Sequence, residues 1–96
     1  MQIKWLRKAL VNLDEEAEYI SRDNPAMASK IVQQIHEAVS MLAKNPSLGR
    51  PGRIFGTREL VVPGTRYLVP YRVRPRLKCV EVLRVFHTSR KPPEHW

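Results

Sequence analysis

An α+β domain in the order β-α-α-β-β-β, with a helical hairpin packed on one face of an antiparallel sheet, is what this 96-residue sequence predicts. Three observations lead there. Two helical periods run back to back in the first half, the pattern breaks abruptly after Pro46, and three Val-, Leu- and Tyr-rich runs with turn signals between them fill the second half. The length suits a single domain over residues 1–96, with 88–96 as a C-terminal tail.

Ile3 and Trp5 alternate with polar neighbours in QIKWL, which predicts a short first strand. Leu6, Leu10, Leu13, Ala17 and Ile20 then recur at three- and four-residue steps, with Asp14, Glu15, Glu16 and Glu18 opposite, so a first helix is expected from Lys8 to Ser21. RDNP breaks it. Asn24 is placed to cap a second helix, and Pro25 fits a first turn because its missing N–H has no partner there. An apolar face from Ala28 through Ile31, Ile35 and Val39 to Leu42 continues until Asn45 and Pro46. PSLGRPGRIFG has no period and reads as a loop. TRELVV, YLVPYRV and CVEVLRVF follow as an antiparallel meander, turned at Pro63-Gly64 and at RPRLK. Pro70 must sit at a bulge or an unpaired position, since it has no N–H for the ladder.

With both helices on one face, the other face is free for use. Two-residue alternation sets Leu68, Pro70 and Arg72 against Tyr67, Val69, Tyr71 and Val73. In the last run it groups Val80, Val82, Arg84 and Phe86 against Glu81, Leu83, Val85 and His87. Arg72 and Arg84, with Arg58 from the first run, are expected to mark the uncovered face. Arg58 also has Glu59 and Glu81 as candidate cross-strand partners, so a structural and a functional role both stand for it. Arg50, Arg53, Arg74, Arg76 and Lys78 lie in loops, where solvated charge is the default.

The charge is unevenly spread. Residues 1–45 balance six basic against six acidic residues, whereas residues 46–96 hold eleven basic and three acidic, the whole of the +8 excess. Such a field draws anionic partners, nucleic acid or acidic protein alike. The single cysteine, Cys79, excludes an internal disulfide and sits in an apolar strand as a small hydrophobe. No His/Cys spacing suggests zinc, and no cofactor is expected. MQIKWLRKAL is too short an apolar run for a signal peptide or membrane span, so a cytoplasmic protein without membrane contact is expected.

DNP before the second helix, NPSLGRPGR in the loop, GTREL and YRV in the strands and VLRVFHTSRKPP at the end together resemble the RelE/ParE superfamily of toxins from bacterial type II toxin-antitoxin systems. The resemblance runs from Trp5 to Pro93, includes the strand order, and lies closer to the ParE-like members. It implies a growth-inhibiting toxin, of the plasmid-stabilising kind, held silent by a cognate acidic antitoxin. Two mechanisms occur among such toxins: RelE- and YoeB-like members cut mRNA on the ribosome, whereas ParE-like members inhibit DNA gyrase.

RNA cleavage without metal needs a base for the 2′-hydroxyl, a cation for the phosphate and an acid for the leaving oxygen. RelE-like toxins place an arginine three residues before the tyrosine of their third strand. Counting back from Tyr71 finds Leu68, with Arg66 two residues earlier and Arg84 as the other substitute. YoeB-like toxins end in an adjacent His-Tyr pair, but Thr88 follows His87 here, and the only later aromatic is Trp96. An endonuclease would therefore rest on Arg84, His87 and Arg90. His36 and His95 read as solvated. Arg90 and Lys91 precede Pro92 and Pro93 in a segment barred from helix or strand interior, suited to contact. The resemblance thus favours gyrase inhibition, with ribosome-dependent mRNA cleavage as the alternative, and Arg58, Arg72, Arg84, His87, Arg90 and Lys91 are expected to contact the target or the antitoxin.

Overall fold

Apolar spacing places both helices where the sequence puts them, and a side-chain cap starts the second. The computed structural model describes residues 1–96 and shows α1 over Arg7–Ser21 and α2 over Pro25–Ser40. Asn24 caps α2, its Oδ1 accepting the Met27 N–H at 3.1 Å, and Pro25 opens the first turn. A 3₁₀ turn, Met41–Ala43, tightens the end of α2 ahead of Asn45 and Pro46.

The strands are β1 (Gln2–Trp5), β2 (Arg50–Pro51), β3 (Arg58–Val61), β4 (Tyr67–Arg74), β5 (Cys79–Val82) and β6 (Phe86–His87). They form one sheet in the order β1-β5-β4-β3-β2, with β6 beside β4. β3, β4 and β5 make the expected antiparallel meander, and β1 joins β5 in parallel, so the sheet is mixed. Period-two burial is the same for either strand direction, which is why spacing alone did not separate them. β2, only two residues long, pairs Arg50 with Glu59 and Pro51 with Arg58 inside the stretch expected to be loop.

The helices cover one face. Ala9 and Leu13 of α1, Ile35 and Val39 of α2, and Leu42 pack on Leu60, Val69, Tyr71, Val80 and Val82. The buried stripe of α1 is turned one residue from the expected one. Leu6 stands before the helix as its N-cap, so the stripe runs Ala9, Leu13, Glu16, while Leu10 is 45% exposed. Glu16, assigned by pattern to the polar side, is buried.

The run expected as one strand from Cys79 to Phe86 breaks in two at the proline. β5 pairs as far as Tyr71↔Val82 and β6 resumes at Leu68↔Phe86, so three residues, Leu83 to Val85, oppose two, Val69 and Pro70. Pro70 accepts the Leu83 N–H at 2.9 Å but has no N–H to return. This extra residue reverses the alternation beyond it. Val80, Val82, Arg84 and Phe86 therefore do not share one side: Val80, Val82 and Val85 enter the helix-covered core, while Arg84 turns to the other face and Phe86 pairs with Leu68 there.

Candidate functional site

Arg72 and Arg84 do stand on the helix-free face. Arg72 opposes Glu81, flanked on its own strand by core-facing Tyr71 and on the next by Val80 and Val82. Its Nη2 lies 2.8 Å from Glu81 Oε1 and its Nε donates at 2.9 Å, while Arg74 Nε donates to the same oxygen at 3.0 Å. The hydrogen bond from Arg74 first, and then Arg72, hold the Glu81 carboxyl below its usual pKa, outweighing the effect of burial. Arg84 is different. Its Nη1 donates to Leu83 O at 2.7 Å, it belongs to no ion pair, and partial burial lowers its pKa from the ordinary arginine value.

Arg58 is a correction to the sequence reading. It opposes Tyr71, whose ring lies in the helix-side core, so it stands on the covered face of the sheet. Its guanidinium donates to Gly49 O at 2.7 Å and pairs with neither Glu59 nor Glu81. Glu59 is instead buried at 1% exposure beneath the loop, 3.3 Å from Arg50 Nη2 and accepting the Arg53 N–H at 3.0 Å. Tyr71 completes this fastening: its hydroxyl donates to Pro46 O at 2.6 Å and accepts the Gly49 N–H at 2.9 Å. A β-carbon at Gly49 would stand 2.6 Å from the Tyr71 ring, so only glycine fits under it.

His87 and Arg90 face the opposite way from Arg84. His87 pairs with Tyr67, meeting its ring edge-on at 5.1 Å, and its Nδ1 accepts the Ser89 N–H at 3.1 Å. That bond leaves the proton of the neutral imidazole on Nε2. Arg90 reaches α1, where its Nη2 lies 3.0 Å from Glu16 Oε1, the contact that makes the burial of Glu16 tolerable. Burial raises the Tyr67 pKa, and the Glu16 charge adds to the effect. His87 and Arg90 share a groove with Tyr67 and Glu16, whereas Arg84 lines a separate one with Arg72. The three residues an endonuclease would need are divided between two faces.

The tail is less free than its prolines suggest. Arg90 is tied to Glu16, and Trp96 meets Phe86 edge-on at 5.4 Å, while Lys91 stays exposed. His36 is exposed and rests against Trp5, and His95 is exposed in the tail. Cys79 is buried as a free thiol. No three of the His, Cys, Asp and Glu side chains are grouped to hold a metal ion, and no helix is long and apolar enough to cross a membrane.

Free sheet edges that invite an added strand or a helix in a groove are expected from the sequence, but the residues of this second candidate surface are not singled out there. An apolar groove of about 650 Å³ runs between the end of α2 and β3, walled by Met41, Leu48, Leu60, Val61 and Pro63. β2 covers β3 only at Arg58 and Glu59, so Leu60 and Val61 keep an unpaired outer edge. The signal was Val61-Val62, two adjacent apolar residues of which strict alternation can bury only one.

Residues 3–92 match the family described as the ParE toxin of the type II toxin-antitoxin system parDE. The chain is 43% identical over 93 residues to Y4kP of Sinorhizobium fredii, a suspected toxin, covering 97% of this chain and 94% of that one. It is 29% identical over 89 residues to toxin RelE2 of Caulobacter vibrioides, covering 93% and 97%. Among solved structures it superposes on a chain of the chromosomal ParDE system from P. aeruginosa with a TM-score of 0.81 and 33% identity, covering 91% of this chain and 95% of that one. A chain of the RelBE2 toxin-antitoxin complex of Mycobacterium tuberculosis shares the fold at a TM-score of 0.61 and 24% identity, over 90% and 88%.

Proposed function

This chain belongs to the ParE toxin family of type II toxin-antitoxin systems, and on that premise we propose that it inhibits DNA gyrase by direct binding, without chemistry of its own. The observation that supports this is the division of Arg84 from His87 and Arg90. Phosphate stabilisation and proton transfer must converge within hydrogen-bond reach of one phosphodiester. Here Arg84 lies on one face of the sheet and the imidazole on the other, and Arg66, which shares the imidazole's groove, stands two residues from Leu68, the position where RelE-like toxins carry their arginine. Arg90 is further occupied by Glu16. What is left unspent is positive charge on the helix-free face and an exposed Lys91 on the tail, a surface suited to docking. Arg72, Arg84 and Lys91 are its contact residues; His87 and Arg90 lie on the opposite face, and Arg58 is held inside the loop.

The cognate antitoxin seats in the groove between α2 and β3 on this reading. Apolar walls beside an unpaired strand edge favour an extended or helical segment that buries side chains and adds main-chain hydrogen bonds. The acidic remainder of such a partner neutralises the +8 excess.

Two assays on the purified chain test the mechanism. Gyrase supercoiling should be inhibited, mRNA on programmed ribosomes should stay intact, and His87→Ala should leave the inhibition within about twofold. Ribosomal cleavage lost with the imidazole would establish the endonuclease instead.

A further inference from the structure

The helix-free face ends in a groove of about 530 Å³ between the start of α1, the loop after β2 and the tail. Arg7, Lys8, Arg72 and Arg84 line it, together with His95; Arg72 is paired with Glu81, and Arg84 is in no ion pair. Arg84 gives one hydrogen bond to Leu83 O, so most of its donor fork is unspent in a partly dry site. Phe55 stands at the rim, fully exposed, on the loop that Glu59 holds through the Arg53 N–H. A large aromatic ring wholly in water beside clustered guanidinium groups has no packing role in the folded chain.

We infer that this groove binds single-stranded DNA, with a backbone phosphate on Arg84 and a base stacked on Phe55. Guanidinium forks match phosphate oxygens in pairs, and every base offers a ring face to an exposed aromatic whatever its identity. An acidic peptide would use the charges but leave Phe55 without a partner. The choice of DNA over RNA rests on the gyrase reading, because that target handles DNA.

Fluorescence anisotropy of the full chain with a labelled thymidine strand of about 20 nucleotides tests it. Binding should weaken with salt, and Arg84→Gln should lower affinity and flatten the slope of log affinity against log salt by about 0.7 for the one phosphate contact removed. Phe55→Ala should weaken binding ~10-fold. Because Phe55 touches no core, that variant keeps the fold when Arg84→Gln does not. Arg76→Gln removes the same charge from an exposed turn outside the groove and should change affinity far less. Equal losses at Arg76 and Arg84, no loss at Phe55, or equal competition by a glutamate peptide of about 20 residues would overturn the groove assignment. Tighter capture of a uridine strand would overturn DNA as the ligand. Supercoiling assayed in parallel separates the two proposals: a chain that binds DNA in this groove but spares gyrase sinks the target, and one that inhibits gyrase without binding DNA sinks the groove.

Discussion

The groove between α2 and β3 and the groove on the helix-free face are built from opposite materials. The first is walled by Met41, Leu48, Val61 and Pro63 beside an unpaired strand edge; the second by Arg7, Lys8, Arg72 and Arg84 with Phe55 at its rim. Hydrophobic burial is non-directional and scales with area, which suits stable neutralisation by one partner. Charge acts at longer range and weakens with salt, which suits capture of a polyanion or a charged target. One small sheet can thus offer two surfaces that fail under different conditions.

Placing a charge in the apolar groove should have the largest effect. Val61 is 50% exposed, so Val61→Asp should leave the stability of the isolated chain within about 0.5 kcal/mol. Seated against an apolar partner, the unpaired carboxylate should weaken antitoxin binding by about 3 kcal/mol, more than 100-fold, while gyrase inhibition persists. Calorimetric titration with the antitoxin decides, and unchanged affinity would place the antitoxin elsewhere.

Tyr71→Phe should come next. It removes the bond to Pro46 O and strands the Gly49 N–H, in the loop that walls the same groove. A loss of about 1–3 kcal/mol is expected in urea unfolding. Antitoxin affinity should fall with it, and an unaltered midpoint would mean that the loop is held by other contacts.

A smaller effect should follow Glu16→Gln, which takes the charge partner from Arg90. About 1 kcal/mol of stability should go, and proteolysis after Arg90 should quicken as the tail detaches. If cleavage does not change, Trp96 on Phe86 holds the tail by itself.

The smallest effect concerns pH. The folded Glu81 carboxyl titrates below its usual value of 4.5, so its contribution is fully present above that value and is lost as the pH falls through the lower folded pKa. Acid unfolding of the wild type should therefore steepen below about pH 4.5. Glu81→Gln should flatten that limb, and an identical acid limb would show that the Arg72–Glu81–Arg74 cluster contributes nothing to stability.

Much of this architecture was legible in the chain. Asn24 and Pro25 mark the start of α2 because capping is local chemistry, and the three meander strands follow from β-branched and aromatic runs between turns. Pro70 announced its break, because the absence of an N–H is visible in sequence. Less legible was what the break does. A single extra residue near Pro70 sends Val85 into the core and Arg84 out, and alternation cannot register an insertion whose partner strand lies elsewhere in the chain.

The buried acids show the same boundary. Glu16 looked like one more member of a polar helix face, and only Arg90, 74 positions later, makes its burial affordable. Arg58 had Glu59 and Glu81 as candidate partners in the sequence, but its acceptor is the loop carbonyl of Gly49.

By itself the sequence determined the helices, the meander and the positive second half, since caps, periodicity and charge act over a few residues and need no knowledge of the fold. Only the tertiary structure decided which face each cation uses. Side-chain direction after a bulge, and the partner that a buried charge finds, depend on groups brought together from distant parts of the chain.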